Sequence, residues 1–445
     1  MSTTNRSFED LGFTLALPRD SERVLAARAE DLARVASRLE TIRGGEVQPN
    51  GEPALFLDLP YPDRSVLPAE TVATIRAWAA NLGLGGRLER LVAFGIGGSA
   101  LGPRMLCEAL GGERTSGVLF VDTIDPERLV PLWRGLELAR SHFLFISKSG
   151  STAETVAPYA DSIRRLQAAR LIPADHVTVV TGPKGYLRSE ARRLGLTAFP
   201  VPEGVGGRWS VLSSVGLVPV AAAGIDIDSL LAGAREMDGA LAGAPPAENP
   251  AARLAVLLHE HAVRHGRRIL CAFVYSDPLA MLGDWVVQLA MESLGKPFTR
   301  SGRPADSGLT VLAARGTADQ HSILQDLAQG HPDKVVLFVG PRRSREDLVL
   351  PEALPGTGAP AALAGASLAR LLFACRAGTR ESLEESGRPA FDLSFEEVSP
   401  RTLGGLIVFF EHVVALAAEL FDVDAYDQPG VEDAKKRAIA NLKRL

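Results

Sequence analysis

Cysteine is scarce in this chain, and the cysteines that do occur lie far apart. Of the 445 residues only Cys107, Cys271 and Cys375 carry a thiol, and no Cys-x-x-Cys pair occurs. Neither a disulfide framework nor a thiolate metal site is expected from such spacing, and a reducing compartment fits it best.

An excess of charge of one sign is also absent. Lysine and arginine total 48 against 53 aspartates and glutamates, so the formal net charge is −5. Beyond short clusters such as residues 342–345 no basic block stands out, which disfavours a nucleic-acid partner. Apolar residues make up 46% and charged residues 23%, as in ordinary globular proteins. At roughly 150 residues per domain, the length favours about three structural units.

Long apolar runs are lacking too. The longest uncharged runs, residues 209–225 and 353–369, are interrupted by Pro, Gly or Ser and fall short of a membrane-spanning segment. The first ten residues carry Arg6, Glu9 and Asp10, where a secretory signal needs a continuous apolar stretch. We therefore expect a soluble cytoplasmic protein without a membrane partner.

What the sequence does contain is an alternation of short apolar runs with helical segments. Residues 1–85 predict a mostly helical N-terminal segment, with helical spacing from 21 to 43. The β-rich runs fall at 91–96, 118–121, 143–146 and 177–180, and, after a connecting passage at 240–250, at 269–275, 309–313 and 335–339. This alternation predicts two doubly wound α/β units with parallel sheets and helices on both faces.

Glycines follow the first of these predicted strands, in the segment Gly95-Ile-Gly-Gly-Ser-Ala100. They let backbone N–H groups approach an anion at the start of the next helix. The same glycines imitate a dinucleotide fingerprint, with Asp122 at the distance of a ribose-binding acid. A merely structural tight turn is the third interpretation.

Five hydroxyl side chains crowd the end of the third predicted strand, within residues 147–155. A Ser-x-x-Glu capping box at 151–154 predicts a helix that begins near Thr152. A cap uses one or two hydroxyls, which leaves Ser147, Ser149 and Thr152 available for a phosphate beside the helix N–H groups. We favour a monophosphate cradle over a cap alone, and this second cradle weakens the dinucleotide interpretation.

Two charged residues lie in glycine-rich or apolar surroundings. Arg208 follows two glycines that let the chain bend around a ligand; its guanidinium either contacts an oxyanion or phosphate, or lies at the surface. Glu292 lies on a nearly apolar predicted helix, with Gln288 one turn earlier on the same side. Since a buried unpaired carboxylate costs several kcal/mol, Glu292 must be paired, neutral or functional. We favour a catalytic carboxylate over a structural ion pair.

His321 and Lys435 are further candidates. His321 is predicted in the first turn of a helix that follows a strand, at the sheet edge where α/β proteins bind ligands, although a lone histidine there is usually only a polar surface residue. Lys435 shares a helical stripe with Val431 and Ala438, whereas Lys436 is turned about 100° away. Lys435 is therefore the lysine predicted to face protein.

Two other constellations are rejected. His259, His261 and His265 lack the His-Glu-x-x-His order of a zinc protease, so no metal site is predicted there. The pair Ser213-Ser214 lacks the Gly-x-Ser-x-Gly elbow of a serine hydrolase.

Together these passages resemble the glucose-6-phosphate isomerase (phosphoglucose isomerase) family in its shorter bacterial type. The resemblance runs from about residue 91 to Lys435. Two segments match the family's long signatures: Gly204-Val-Gly-Gly-Arg-Trp-Ser and Tyr426-Asp-Gln-Pro-Gly-Val-Glu-Asp-Ala-Lys435. Trp209 departs mildly, since the family often has Phe or Tyr at that position.

The resemblance implies a fold and a domain plan. Two sugar-isomerase (SIS) domains, each a flavodoxin-like αβα sandwich, are expected at 86–240, the phosphate-binding domain, and at 251–420. The helical N-terminal segment 1–85 precedes them, and a C-terminal helix within 421–445 is expected to pack at the active site.

The resemblance also implies an activity, namely reversible conversion of glucose 6-phosphate to fructose 6-phosphate in glycolysis and gluconeogenesis, without metal or organic cofactor. Ring opening and a cis-enediolate with proton transfer between C2 and C1 are the implied steps. The implied catalytic residues are Glu292 as base, Arg208 beside the enediolate oxygen, Lys435 at the ring or C1/C2 oxygens, and His321 for ring opening, contributed across the interface of a homodimer. The implied substrate contacts are Gly98, Ser99, Ser147, Lys148, Ser149, Thr152, Gln288 and Gln428. A non-catalytic sugar-phosphate sensor and a dinucleotide-dependent oxidoreductase remain the alternatives.

Overall fold

The fold was obtained as a computed structural model, which describes residues 7–64, 66–111, 115–353, 358 and 360–444. The strands in this part of the chain are β1 (Phe13–Ala16), β2 (Arg90–Phe94), β3 (Val118–Val121), β4 (Ser141–Ser147), β5 (Val177–Thr181), β6 (Thr197–Pro200), β7 (Ile269–Val274), β8 (Thr310–Arg315), β9 (Lys334–Pro341) and β10 (Ala390–Phe395). The helices are α1 (Ser21–Ala27), α2 (Ala29–Arg43), α3 (Ala69–Leu82), α4 (Leu101–Ala109), α5 (Pro126–Gly135), α6 (Ala153–Ala168), α7 (Pro173–His176), α8 (Tyr186–Leu194), α9 (Ser214–Ala222), α10 (Ile227–Gly243), α11 (Pro250–Arg264), α12 (Met281–Leu294), α13 (Leu324–Gln329), α14 (Leu368–Glu385), α15 (Pro400–Phe421) and α16 (Pro429–Leu442).

The first sheet is parallel throughout, with strand order β3-β2-β4-β5-β6. This is the flavodoxin-like order, in which the chain reverses direction across the sheet between β2 and β4. Both faces are covered: Leu144 and Ile146 of β4 point into one core, and Phe143 and Phe145 point into another. Burial on both faces explains why these strands are continuous apolar runs in the sequence. The four strands predicted here are confirmed; β6, which is short and ends in proline, was not predicted.

The second sheet repeats this plan, with strand order β8-β7-β9-β10 in parallel and β1 antiparallel at the edge beside β10. The three predicted strands are confirmed, and β10 and β1 are additions. The register sets Phe13 of β1 opposite Phe395 of β10. The predicted α/β class is therefore confirmed, and the N-terminal segment, predicted to be mostly helical, contains the short strand β1 besides α1, α2 and α3.

The predicted helix over residues 21–43 is divided in the structure. Helices α1 and α2 meet at Arg28, whose backbone leaves the helical conformation. Its guanidinium donates to the carboxylate of Glu260 on α11 at 2.6 Å. The N-terminal segment is thus attached to the helices that flank the second sheet.

Helix α15 runs through the largest apolar core, which both sheets and the N-terminal segment share. It packs against α2, α10, α11 and α12. Within the described part of the chain it is the one helix long and apolar enough to cross a membrane, but 94% of its most apolar window is buried inside the protein. That burial is what a central core helix requires.

A polar network crosses this core at Asp238 of α10, which is 2% exposed. Its carboxylate accepts hydrogen bonds from Arg43 at 2.7 and 2.8 Å, from Tyr61 at 2.6 Å and from a ring nitrogen of His412 at 3.0 Å. Burial alone would raise the pKa of Asp238, but the hydrogen bonds from His412 and Arg43 outweigh it and hold the pKa well below its usual range. The network joins α2, α10 and α15 through charges that are matched rather than exposed.

Candidate active site

Two loops meet at the point where the first sheet changes direction. β2 and β4 are neighbours in parallel register, with Phe94 beside Phe145, so the loops that follow them leave from the same edge. The first loop contains a 3-10 turn, Gly97–Ser99, before α4, and the second leads from Ser147 into α6. Open α/β sheets bind ligands at such a switch point.

The three predicted phosphate hydroxyls are gathered in the second loop. Ser147 Oγ lies 3.0 Å from Thr152 Oγ1 and 3.5 Å from Ser149 Oγ, and Ser149 Oγ lies 3.3 Å from Thr152 Oγ1. Helix α6 begins directly after Thr152, so its unpaired N–H groups open towards the same cluster. The arrangement offers hydroxyl and backbone donors to an anion.

The predicted capping box does not form. Thr152, not Ser151, precedes the first helical residue, and α6 has no side-chain cap hydrogen bond. The hydroxyl of Ser151 instead accepts from the backbone N–H of Tyr186 at 3.4 Å. Because the helix starts one residue later than the box requires, Thr152 Oγ1 is turned to the other hydroxyls rather than to the helix backbone.

Gly98 of the first loop lies against the turn that carries Arg208. A Cβ added at Gly98 would lie 2.2 Å from the carbonyl oxygen of Gly207, far inside contact distance. Only glycine permits this approach without a backbone shift. The glycine-rich segment therefore joins the loop after β2 to the Arg208 turn.

Arg208 is almost fully buried, at 1% exposed, so its interpretation as a surface residue was wrong. Nε donates to Ser293 Oγ at 2.7 Å, and Nη1 donates to Glu292 Oε2 at 3.2 Å and to Gln428 Oε1 at 2.9 Å. Nη2 donates to the backbone oxygens of Ala425 and, at 2.9 Å, Asp427. Burial lowers the pKa of the guanidinium, and the charge of Glu292 opposes this most strongly. Arginine nevertheless stays a cation at neutral pH.

Glu292 lies on α12 between two donors. Gln288 Nε2 donates to its Oε1 at 3.2 Å, as the shared helix side predicts, and Arg208 donates to Oε2. Trp285 and Leu289 are fully buried, but the Glu292 side chain is 32% exposed. The prediction of a deeply buried carboxylate was therefore wrong, because Glu292 lies on a side of α12 that faces a cavity.

Helix α16 forms the opposite wall of that cavity. Val431, Ala434, Lys435 and Ala438 line the cavity, and Lys436 is not among the described residues that do. Gln428 precedes the helix and bonds to Arg208. The predicted stripe through Lys435 thus faces the cavity, although Lys435 itself is exposed.

One cavity of about 790 Å³ unites these groups. All of the predicted site residues except His321 line it: Gly98, Ser99, Ser147, Lys148, Ser149, Thr152, Arg208, Gln288, Glu292, Gln428 and Lys435. The hydroxyl cluster thus shares one cavity with the Arg208–Glu292 pair. Such a space can hold a phosphate ester at one wall and expose its other carbons to a carboxylate and a guanidinium.

His321 lies elsewhere in its own chain. It ends a 3-10 turn, Ala318–His321, after β8 of the second sheet, and its side chain is exposed. The predicted α-helical first turn is therefore a 3-10 turn, and α13 begins three residues later. The role of His321 stays a prediction.

Several cavity residues were missed by the sequence analysis, among them Glu52, Glu154, Lys184 and Glu203. Lys184 follows Gly182 and Pro183 at the end of β5, beside β4, and that position could have pointed to it. Glu52 comes from the N-terminal segment, and no local pattern marks it.

The alternatives and rejected constellations have structural explanations. Asp122 does not line the cavity; its carboxylate lies 3.8 Å from the guanidinium of Arg104, with 40% of its side chain exposed. Ser213 caps α9 by accepting from the N–H of Val215, which is a structural role. Within the described ranges, no group of three or more His, Cys, Asp or Glu side chains is arranged to hold a metal ion.

Comparison with known proteins adds independent evidence. The family model of phosphoglucose isomerase matches residues 70–353 and 374–445. A glucose-6-phosphate isomerase of Thermus thermophilus is 40% identical over 432 residues, which is 95% of this chain and 98% of that protein. One from Carboxydothermus hydrogenoformans is 37% identical over 403 residues, 87% of this chain and 85% of that protein.

Solved structures agree in fold. A crystal structure of a hypothetical protein from Thermus thermophilus matches with a TM-score of 0.87 and 37% identity, covering 96% of this chain and 100% of that one. A glucose-6-phosphate isomerase from Chlamydia trachomatis shares the fold at a TM-score of 0.85 and 24% identity, covering 97% of this chain and 88% of that one. Because the family model matches most of this chain and the two relatives match it at 37% and 40% identity, the chain belongs to the phosphoglucose isomerase family.

Proposed function

We propose that this chain interconverts glucose 6-phosphate and fructose 6-phosphate by acid–base catalysis in the cavity between the hydroxyl loop and α16. One observation carries the proposal: a single cavity joins a hydroxyl cradle to a carboxylate that is paired with a buried arginine. The relatives named glucose-6-phosphate isomerase, which match nearly the whole chain, support the same substrate pair.

The cradle binds the phosphate in this proposal. Ser147, Ser149 and Thr152 supply hydroxyl donors, and the first turn of α6 supplies N–H groups and the positive end of its dipole. Lys148 and Lys184, both exposed at the cavity wall, add positive charge. Binding at this end holds the sugar carbons against the opposite wall, which turns proton transfer into an intramolecular step.

Glu292 carries the chemical step. Its carboxylate removes the proton from C2 of the open-chain aldose, and the electrons of that C–H bond form a C1–C2 double bond while the carbonyl oxygen becomes an enediolate oxygen. The C2 hydroxyl then gives up its proton, the C1 oxygen takes one up, and the electrons of the double bond accept the returned proton at C1, so that C2 becomes the carbonyl carbon of the ketose. The guanidinium of Arg208, fixed by five hydrogen bonds, provides a preorganised positive group for the oxyanion.

Ring opening precedes this step, because the aldose is mainly a closed hemiacetal. We assign it to His321 and Lys435: one takes the proton of the C1 hydroxyl, and the other gives a proton to the ring oxygen. Since His321 lies away from the cavity of its own chain, we propose that the active form is a homodimer in which each cavity receives His321 from the partner subunit. The domain limits 86–240 and 251–420 and a cytoplasmic location belong to the same proposal.

The function is tested with purified chain and glucose 6-phosphate, without added nicotinamide nucleotide, followed by NMR in H₂O and in D₂O. We expect fructose 6-phosphate to accumulate to equilibrium, with deuterium at C1 in D₂O because the transferred proton exchanges partly with solvent. A sensor would bind the sugar phosphate without converting it, and an oxidoreductase would require the nucleotide; either result would refute the proposal.

The dimer is tested by mixing two inactive variants. Glu292→Gln and His321→Ala each damage every site in their own homodimer. A mixed dimer contains one site with both changes and one with neither, so equal mixing should restore about a quarter of wild-type activity in a symmetric dimer that re-equilibrates. If mixed dimers form but the mixture regains no isomerase activity, His321 does not act across the interface.

A further inference from the structure

Lys296 does not line the cavity, yet its ammonium group is buried next to it. The residue follows α12 and Gly295, and its side chain is 6% exposed. Its backbone is fixed by Ser307, whose hydroxyl donates to the Lys296 carbonyl at 2.7 Å and accepts from its N–H at 3.3 Å. A buried ammonium without partners is strongly unfavourable, so its partners indicate what holds it there.

Within the described part of the chain, the hydrogen-bond acceptors of its ammonium group belong to one residue, Asp427, and its charge also acts on Asp424. Lys296 Nζ donates to the Asp427 carboxylate at 2.6 Å and also to its backbone oxygen. The same backbone oxygen accepts from Arg208 Nη2 at 2.9 Å. The backbone oxygen of Asp427 therefore accepts hydrogen bonds from two cationic side chains, Lys296 and Arg208.

Asp427 lies in the connecting strap, residues 423–428, which leads from α15 to α16. The next residue, Gln428, accepts from Arg208 Nη1, and α16 begins at Pro429. Every residue of α16 whose side chain is described is exposed, so the strap that leads into the helix contributes to holding it in place. A shift of the strap would therefore move the start of α16 and, with it, Lys435 at the cavity wall.

We infer that Lys296 is a positioning residue: by holding Asp427 it sets the place of Gln428 and of the helix that presents Lys435 to the cavity. The inference rests on the proposed function. A displacement of reacting groups by about 1 Å can lower a rate by about 10²-fold, whereas the phosphate cradle on the loop after β4 does not touch Lys296. Loss of Lys296 should therefore lower kcat and leave phosphate binding unchanged.

The test compares Lys296→Met with Lys334→Met as control. Lys334 is also an ion-paired, mostly covered lysine, at 14% exposed, but it lies on β9 of the second sheet with Asp326 and Asp333. We expect Lys296→Met to lower kcat about 10- to 100-fold, with the inhibition constant of inorganic phosphate within about twofold, and Lys334→Met to change neither. A folded Lys296→Met variant with kcat within twofold of wild type would overturn the inference.

Asp427→Asn gives a second, independent measurement. Its side chain is 38% exposed and its carbonyl acceptor is retained, so this variant tests the contact even if Lys296→Met does not fold. We expect a smaller fall in kcat, about 3- to 10-fold. In the double variant with Lys296→Met, kcat should fall by less than the product of the two single effects, because both changes remove the same contact. Unchanged kcat in Asp427→Asn, or strictly multiplicative effects in the pair, would overturn the inference. Absence of isomerisation by the wild-type chain would instead refute the proposed function.

Discussion

Replacing Glu292 by Gln removes the proposed base and changes little else in the cavity wall. Glutamine has nearly the same volume, and its amide oxygen can still accept from Arg208 Nη1, which now lies 3.2 Å from Oε2. The other side faces Gln288 Nε2, a donor at 3.2 Å. Gln288 can turn its carboxamide so that its Oε1, buried and without a partner among the described residues, accepts from the new amide. We therefore expect a folded variant.

The stability and rate effects should separate clearly. Glu292 is 32% exposed, whereas its partner Arg208 is 1% exposed and keeps four other acceptors. Loss of the ion pair should therefore lower the free energy of unfolding by about 1–3 kcal/mol. General base catalysis contributes about 10²–10⁴-fold, which corresponds to about 3–5 kcal/mol of activation free energy. We expect kcat to fall by at least 10²-fold, with phosphate inhibition unchanged.

The assay is initial-rate formation of fructose 6-phosphate, with thermal unfolding measured on the same samples. Asp284→Asn is the matched control, since it makes the same acid-to-amide change on α12 but does not line the cavity. Glu292→Asp should be intermediate, because it keeps a carboxylate but withdraws it by one methylene. If Glu292→Gln retained more than about a tenth of wild-type kcat, below the smallest contribution expected of a base, Glu292 would not be the base.

Three further predictions concern the rest of the cavity and the core. Lys435→Ala should lower turnover at least about tenfold and Lys436→Ala less than twofold, because Lys435 lines the cavity and Lys436 does not. Equal losses in the same rate assay would contradict this. Thr152→Val keeps the shape but loses a cradle hydroxyl, so the inhibition constant of inorganic phosphate should rise about 5- to 15-fold, and an unchanged constant would exclude Thr152 from the phosphate site. Asp238→Asn should destabilise the fold by about 3–5 kcal/mol at neutral pH, because it leaves buried partners unmatched. Folding lowers the pKa of Asp238, so its contribution is fully present above the unfolded pKa of about 3.9 and is lost as pH falls from there towards the folded pKa. Between about pH 5 and pH 2 the variant should therefore lose less stability than wild type. Parallel unfolding profiles over this range would contradict the prediction.

The sequence predicted the α/β architecture because buried parallel strands are strong local signals. Strands such as β4 and β7 are apolar on both faces, and each is followed by a helix. The strands it missed carry little of that signal: β1 has four residues with polar Thr14 among them, and β10 alternates with Asp392 and Ser394. Their place in the sheet is decided by pairing between distant segments.

In the candidate site, too, the features with a local sequence signal were predicted and those set by distant contacts were not. The loop hydroxyls and the glycine turn are local features, and adjacency of the parallel strands β2 and β4 is enough to bring them together. The burial of Arg208 could not be predicted from its glycine-rich turn, because its partners lie on α12 and in the strap, 84 to 220 residues away along the chain. The exposure of Glu292 likewise depends on how α16 and the first sheet stand apart from α12.

The antiparallel strand β1 has a consequence for how the molecule is made. It is translated before every other described strand, whereas its partner β10 is translated after all of them, so the pair Phe13–Phe395 must close a loop that contains both sheets. Until then the second sheet lacks its edge strand, and the first strand has nothing to pair with. The first sheet, whose strands all lie between Arg90 and Pro200, can form while the rest is still being translated. We therefore expect folding to follow an order in which the first sheet forms early and β1, although translated before the other described strands, joins the second sheet last.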